Sequence, residues 1–72
     1  MEIVKLTLPA ARKNKNLTQK DLASVCGVSV STVANWENGR SEPTLSQAYK
    51  VGKAVGMDID NIIFLVPHTV KP

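Results

Sequence analysis

The sequence contains one cysteine, Cys26, and its longest apolar run is "IIFLV", residues 62–66. A single cysteine excludes a disulfide within the chain and is typical of proteins of a reducing compartment. The apolar run is too short to cross a bilayer, and residues 1–13 lack the apolar stretch of a secretory signal. We therefore expect a soluble, cytoplasmic protein.

Residues with catalytic or metal-binding chemistry are also scarce. The one histidine, His68, has no second candidate ligand near it in sequence, and Cys26 lies where a small core residue is expected. The sequence has neither a glycine-rich phosphate loop nor a pair of carboxylates placed for acid–base catalysis. We expect no cofactor, no bound metal and no enzymatic activity.

The net charge of +3 is distributed unevenly along the 72 residues, which are enough for one domain with a small core. Residues 1–40 contain six Lys or Arg and three Asp or Glu, whereas residues 41–72 contain three of each. A basic first half is compatible with a polyanionic partner. A solvated basic face explains it equally well.

Residues that favour helix ends recur along the chain and predict five helices. Each begins after a Thr, Ser or Asp that can cap the first turn, and Asn or Gly follows the first four. Two starts have or approach the spacing of a capping box, Thr18 with Asp21 and Thr44 with Gln47. The predicted helices are residues 8–15, 19–26, 30–38, 45–55 and 59–63, preceded by Thr7, Thr18, Ser29, Thr44 and Asp58; Asn16, Gly27, Gly39 and Gly56 end the first four.

Apolar residues at helical spacing predict the buried faces of these helices. Trp36 and Tyr49 are expected to pack in the core or at its rim. The flanks, residues 2–7 and 63–70, are rich in β-branched residues and are compatible with a small two-stranded ribbon, although Pro67 limits the pairing. The predicted faces are Leu22, Val25 and Cys26; Val33 and Trp36; and Leu45, Ala48, Val51 and Val55.

The second and third predicted helices are joined by a short turn at Gly27, which makes a helix-turn-helix. In such a motif the second helix can lie in the major groove of DNA. Two packed helices in a small bundle would have the same spacing. The helical wheel favours the first interpretation, because Val33 and Trp36 lie on one side and the other side lacks long charged residues. That other side comprises Val30, Ser31, Ala34, Asn35 and Asn38.

A series of spaced residues runs through this part of the chain: Arg12, Leu17-Thr18-Gln19, Leu22-Ala23, Gly27, the small polar stretch from Ser29 to Thr32, Glu37-Asn38-Gly39 and Pro43. The series resembles the lambda-repressor-like helix-turn-helix family of phage and bacterial regulators, over residues 8–63 without a gap. The resemblance implies an all-α, five-helix DNA-binding domain, with the helix-turn-helix at about residues 18–38 and a tail at residues 64–72.

The resemblance also implies which residues contact DNA. Val30, Ser31 and Asn35 occupy the base-reading positions, and small polar side chains of this kind can approach base edges closely. Gln19 begins the second helix and is expected to contact a phosphate or a terminal base, or to be an ordinary first-turn residue. Thr32 is expected to contact phosphate or to cap its own helix. Asn38 and Arg40 are expected to contact the DNA backbone, although Arg40 could instead be a solvated loop charge. The complete predicted set is Gln19, Ser29, Val30, Ser31, Thr32, Asn35, Asn38 and Arg40.

The same resemblance pairs Arg12 with Glu37 in an internal salt bridge. It also implies a sequence-specific regulator, expected to be a repressor, that binds a palindromic double-stranded DNA operator as a homodimer. Ile59 and Ile62 are expected to close the domain's own core, whereas Phe64, Leu65 and Val66 are expected to form the dimer interface. An alternative is a helix-turn-helix module that binds protein, such as an antitoxin or anti-repressor.

Overall fold

The computed structural model describes residues 5–65 and places four α-helices beside two short parallel strands. The strands come from opposite ends of this range, with Leu6 opposite Ile62 and Thr7 opposite Ile63. The sheet therefore ties the start of the described range to its end, next to the first helix. In chain order the elements are β1 (Leu6–Thr7), α1 (Leu8–Asn14), α2 (Gln19–Cys26), α3 (Val30–Glu37), α4 (Leu45–Val55), a 3-10 turn (Ile59–Asn61) and β2 (Ile62–Ile63).

Every α-helix begins at its predicted cap residue. The cap hydroxyl accepts a hydrogen bond from the backbone N–H three residues further on, which supplies one of the acceptors that a helix start lacks. Both capping boxes are present: the Asp21 carboxylate accepts from the Thr18 N–H at 2.9 Å, and the Gln47 side chain accepts from the Thr44 N–H at 2.8 Å. The confirmed caps are Thr7, Thr18, Ser29 and Thr44.

The predicted helix ends are confirmed as left-handed residues. The φ angles are 60° at Asn16, 70° at Gly27, 75° at Gly39 and 69° at Gly56. At Gly27 this conformation turns the chain from α2 toward α3, and a side chain there would strain the backbone. Helices α1 and α3 each end one residue earlier than predicted, a difference typical of fraying helix ends.

The predicted fifth helix is wrong. Its residues form a single 3-10 turn, Ile59–Asn61, followed by strand β2. The Asp58 side chain makes no cap hydrogen bond to this turn. Isoleucine loses side-chain freedom in a helix and packs well in a strand, so pairing of Ile62 and Ile63 with β1 prevails. The terminal ribbon is thereby confirmed, and it begins one residue earlier than expected.

The hydrophobic core lies among all four helices and β2. Trp36 is buried as expected, and Ile62 closes the core from the strand while Ile59 is half-buried. Arg12 is the buried charged residue of this region. The buried apolar residues are Leu8, Ala11, Leu22, Ala23, Cys26, Val33, Trp36, Ala48, Val51, Val55 and Ile62.

Three residues expected at the core or its rim are largely exposed instead: Val25 by 57%, Leu45 by 66% and Tyr49 by 57%. The reason is the exact direction of each buried face. On α2 the buried face is centred between Leu22 and Ala23, and Val25 lies about 100° round the helix from that centre. On α4 the buried face is centred near Val55. Tyr49 lies about 100° round the helix from that centre, and Leu45, the first residue of the helix, lies at the margin of the buried face.

Helix α4 and the 3-10 turn approach each other closely at Gly52. A β-carbon on Gly52 would lie 2.8 Å from the carbonyl oxygen of Met57 and 3.2 Å from Cγ2 of Ile59. The first of these is a backbone atom, so the chain itself would have to move. A glycine inside a helix costs about 1 kcal/mol relative to alanine. At this position close packing outweighs that cost.

Gly52→Ala should therefore destabilise the protein, although alanine is the better helix former. Overpacking costs about 1–3 kcal/mol, and we expect a net loss of at least about 1 kcal/mol in the free energy of unfolding. Urea denaturation followed by circular dichroism measures it. Ser46→Ala, at an exposed position of the same helix, is the control and should be neutral or stabilising. A Gly52→Ala protein as stable as the parent would contradict the close approach.

Candidate nucleic-acid interface

Helices α2 and α3 are joined by a tight turn. Gly27 ends α2, and Ser29 caps α3 two residues later. The turn is held by α2 itself, because the Val28 N–H donates to the Ala23 carbonyl at 3.0 Å and the Gly27 N–H donates to the Ser24 carbonyl at 3.3 Å. This arrangement is a helix-turn-helix, with α3 in the position of the second helix.

Helix α3 turns one face to the core and the other outward. Val33 is completely buried and Trp36 is 2% exposed. On the opposite face Val30 and Ser31 are exposed, and Asn35 is half-buried. The face predicted from the helical wheel is therefore the face that the fold leaves accessible. Because the side chains on this face are small, the helix backbone can approach a partner surface closely.

Ser29 and Thr32 are engaged with each other at the start of α3. The Ser29 hydroxyl accepts from the Thr32 N–H at 3.2 Å, and the two side-chain hydroxyls lie 3.0 Å apart. The cap of α3 is thus Ser29, and the Thr32 hydroxyl contacts the capping side chain. A hydroxyl meets a phosphate by donating its one proton. One of the two hydroxyls donates to the other, so one proton of the pair stays free for a phosphate.

The end of α3 leads directly into an exposed arginine. Asn38 is the cap residue that follows the last residue of α3, and Gly39 then reverses the chain. The carbonyl of Asn35 accepts the N–H of Arg40 at 2.9 Å and that of Ser41 at 3.4 Å, which holds the loop against the helix. Arg40 is exposed, and its backbone lies against Asn35 of the accessible face.

The predicted Arg12–Glu37 salt bridge is confirmed. Nε of Arg12 lies 2.7 Å from Oε2 of Glu37, and Nη2 donates to Oε1 at 3.2 Å. The two side chains are only 10% and 6% exposed. The remaining Arg12 donor, Nη1, reaches the carbonyl of Leu17 at 2.8 Å. One guanidinium thus joins α1, the loop before α2 and the end of α3.

Gln19 joins the same cluster, which the sequence reasoning missed. Its Nε2 donates to Oε1 of Glu37 at 3.0 Å across 18 positions of sequence. The side chain is half-buried, and it starts α2 next to the cap residue Thr18. No local spacing signals this contact, since it depends on how α2 and α3 pack. The amide of Gln19 is therefore held in place from within the protein.

Asp21 brings a negative charge to the start of α2. The Thr18 backbone N–H and hydroxyl hold the pKa of the Asp21 carboxyl below its usual range, with a smaller contribution from Lys20. A lowered pKa means that the capping box contributes stability above the ordinary carboxyl pKa and loses it as the pH falls through the lowered value. Asp21 therefore stays ionised at neutral pH, engaged with its own helix.

Three lysines of the basic part of the chain, Lys13, Lys15 and Lys20, are all exposed. Lys15 has a local role, because its Cε and Nζ lie 3.0 Å and 3.4 Å from the point where a side chain on Gly56 would begin. Its ammonium is thus close to the C-terminal end of α4, where a cation is favourable.

A family model described as helix-turn-helix matches residues 10–62, well over half of the chain. This chain belongs to the helix-turn-helix family. The match is of the Cro and C1 type, which confirms the resemblance derived from the spaced residues.

Relatives of this helix-turn-helix chain include three uncharacterized HTH-type transcriptional regulators. The protein from Methanocaldococcus jannaschii is 45% identical over 47 residues, which are 65% of this chain and 71% of that protein. The protein from Methanothermobacter thermautotrophicus is 36% identical over 55 residues, 76% of this chain and 80% of that protein. The protein from Archaeoglobus fulgidus is 35% identical over 51 residues, 71% of this chain and 72% of that protein.

Cys26, at the end of α2, is buried in the core, and burial raises the pKa of its thiol, against a smaller opposing effect of Lys50. Within residues 5–65 we find no cluster of three metal-ligating side chains and no helix long and apolar enough to cross a membrane.

Of the three residues expected at a dimer interface, Phe64 packs partly against the core and Leu65 is 48% exposed. Val66 and His68 lie outside the described residues.

Proposed function

We propose that this helix-turn-helix domain binds double-stranded DNA sequence-specifically and regulates transcription, with α3 in the major groove. The observation that carries the proposal is the division of α3 into two faces. Val33 and Trp36 hold the helix against the core, and the opposite face presents small polar and apolar tips. The three relatives are named as HTH-type transcriptional regulators, which supports the same function.

Three residues of the accessible face are proposed to read bases. Asn35 has an amide that can pair with both the N6 and N7 groups of adenine, and Ser31 has a hydroxyl suited to several base edges. Val30 is 42% exposed and can contact a thymine methyl group. These residues have modest helix propensity, but their side chains are short, which keeps the face close to the helix backbone.

The proposed phosphate contacts surround this face. Ser29 and Thr32 flank the start of α3, and Asn38 and Arg40 follow its end. Gln19 lies at the start of α2, where first-turn N–H groups lack acceptors within the helix and attract anions. Such contacts orient the protein on the duplex without reading sequence.

A homodimer on a palindromic operator is the proposed assembly, since one domain reads only a few base pairs. Ile63 and Leu65 alternate along the end of the chain described here and are 44% and 48% exposed. These two side chains, with Phe64 and Val66, are the proposed dimer contacts. Because a bound dimer alone can block the polymerase, we propose a repressor of phage or bacterial type, located in the cytoplasm.

Selection of bound sites from a random double-stranded DNA pool tests the whole proposal. We expect a palindrome with half-sites about one helical turn apart. Affinity for it should fall steeply with salt, by about a hundredfold between about 50 and 200 mM if about four phosphates are neutralised. A short site without symmetry would remove the dimer, as would a monomer in sedimentation with operator present. Failure to enrich any site, together with no retention on heparin, would instead favour a protein-binding module.

A further inference from the structure

The Glu37 carboxylate serves two partners at once. Oε2 accepts from Arg12 at 2.7 Å, whereas Oε1 accepts from Arg12 at 3.2 Å and from Gln19 at 3.0 Å. The carboxylate is 6% exposed, so little water competes for these bonds. Glu37 ends α3 and Gln19 begins α2. The contact therefore joins the two ends of the helix-turn-helix that lie farthest apart in sequence.

This contact determines which end of the Gln19 amide faces the protein. A carboxylate only accepts hydrogen bonds, so it selects the NH2 end of the amide and repels the carbonyl end. The Gln19 carbonyl oxygen and the second N–H are then directed away from Glu37. Arg12 fixes the carboxylate in turn, because its own position is set by the Leu17 carbonyl at 2.8 Å.

We propose that Glu37 is a positioning residue for Gln19, holding its amide in the orientation that meets the DNA backbone. The proposal rests on the proposed function, because it assumes that Gln19 contacts DNA. A glutamine side chain otherwise samples many rotamers, and DNA binding must select one of them. In this protein the salt bridge within the fold selects the rotamer before DNA arrives.

If the role of Glu37 is purely structural, a different result is expected. In that case Glu37 serves Arg12 alone, and replacing it changes stability without any special link to Gln19. The two roles are separated by asking whether the effect of a Glu37 substitution on DNA affinity depends on the presence of the Gln19 side chain. A double-mutant cycle measures this dependence directly.

Glu37→Gln and Gln19→Ala, singly and together, make up the cycle. Glutamine nearly preserves the shape of Glu37, but it offers one acceptor and one NH2 group, so it no longer dictates the orientation of the Gln19 amide. Each single variant should weaken binding to a selected site by about threefold to tenfold, the range for one hydrogen bond. The double variant should bind no more weakly than Gln19→Ala alone.

Affinities are measured at a temperature where circular dichroism shows every variant folded. Val51→Ala removes part of a completely buried side chain of α4 and is the control for lost stability. It should bind DNA like the parent. Effects of Glu37→Gln and Gln19→Ala that multiply in the double variant, or an unchanged affinity of Glu37→Gln, would overturn the proposal.

The side-chain amide signals of Gln19 give a readout that needs no DNA. In nuclear magnetic resonance spectra of the free protein, the amide proton bonded to Glu37 should be displaced from its random-coil shift and should exchange slowly with water. Both features should disappear in Glu37→Gln and persist in Val51→Ala. Random-coil shifts and fast exchange of both protons in the parent would overturn the positioning. Ordered signals in a parent that binds no DNA would mean that the proposed function has failed and the proposal with it.

Discussion

Glu37→Ala should lower the free energy of unfolding by about 3 kcal/mol, the lower part of the range for breaking a buried ion pair. The substitution leaves the Arg12 guanidinium, whose side chain is 10% exposed, without its carboxylate. The Leu17 carbonyl still accepts one of its hydrogen bonds, which keeps the loss at the lower end. Gln19 loses its acceptor as well.

Thermal unfolding followed by circular dichroism measures this loss. For a domain of this size about 1 kcal/mol shifts Tm by about 4–8 °C, so Tm should fall by about 12 °C or more. Glu42→Ala removes a carboxylate from an exposed loop position and should leave Tm nearly unchanged. A Glu37→Ala melt that coincides with the parent would show that the ion pair does not stabilise the fold.

The reason for the loss can be checked with a second pair of residues. Arg12→Met should destabilise the protein, because it leaves the Glu37 carboxylate with only the Gln19 amide. Arg12→Met combined with Glu37→Leu should be far more stable than either single change predicts, since apolar residues of similar volume replace a buried ion pair at little cost. Additive losses in the double variant would mean that packing, and not the unpaired charge, causes them.

Asn35→Ala should reduce affinity for the selected operator by about 1–3 kcal/mol, or about 5-fold to 150-fold, chiefly through one base pair. Its affinity for random DNA should be nearly unchanged, because only the base contact is lost. The fold should tolerate the change. Alanine is the better helix former, and the backbone carbonyl that accepts from Arg40 and Ser41 remains.

Arg40→Ala is the matched control for this experiment. It should weaken binding to operator and random DNA alike. The slope of log affinity against log salt concentration should become shallower by the contribution of about one phosphate contact. Binding to both DNAs is measured by fluorescence anisotropy at several salt concentrations. An equal loss on operator and random DNA for Asn35→Ala would contradict its base-reading role. A loss confined to operator for Arg40→Ala would move that residue into base recognition.

Contacts between residues three or four positions apart were predictable from the sequence. The caps at Thr18 and Thr44, with their partners Asp21 and Gln47, depend on one helical turn and on the chemistry of those side chains. The buried face of α3 was predictable for the same reason, because Val33 and Trp36 lie on one side of any helix that contains both. The Arg12–Glu37 pair spans 25 positions, and only the resemblance to a family predicted it.

The sequence by itself thus determined the four helices, their ends and the accessible face of α3, because these follow from local backbone geometry and the period of the helix. Only the tertiary structure decided between a fifth helix and a ribbon at Ile63, because the partner strand β1 lies at the far end of the described residues. Packing also decided that Gly52 must lack a side chain and that Glu37 holds Gln19. Each of these depends on two segments meeting in space, which no spacing within either segment encodes.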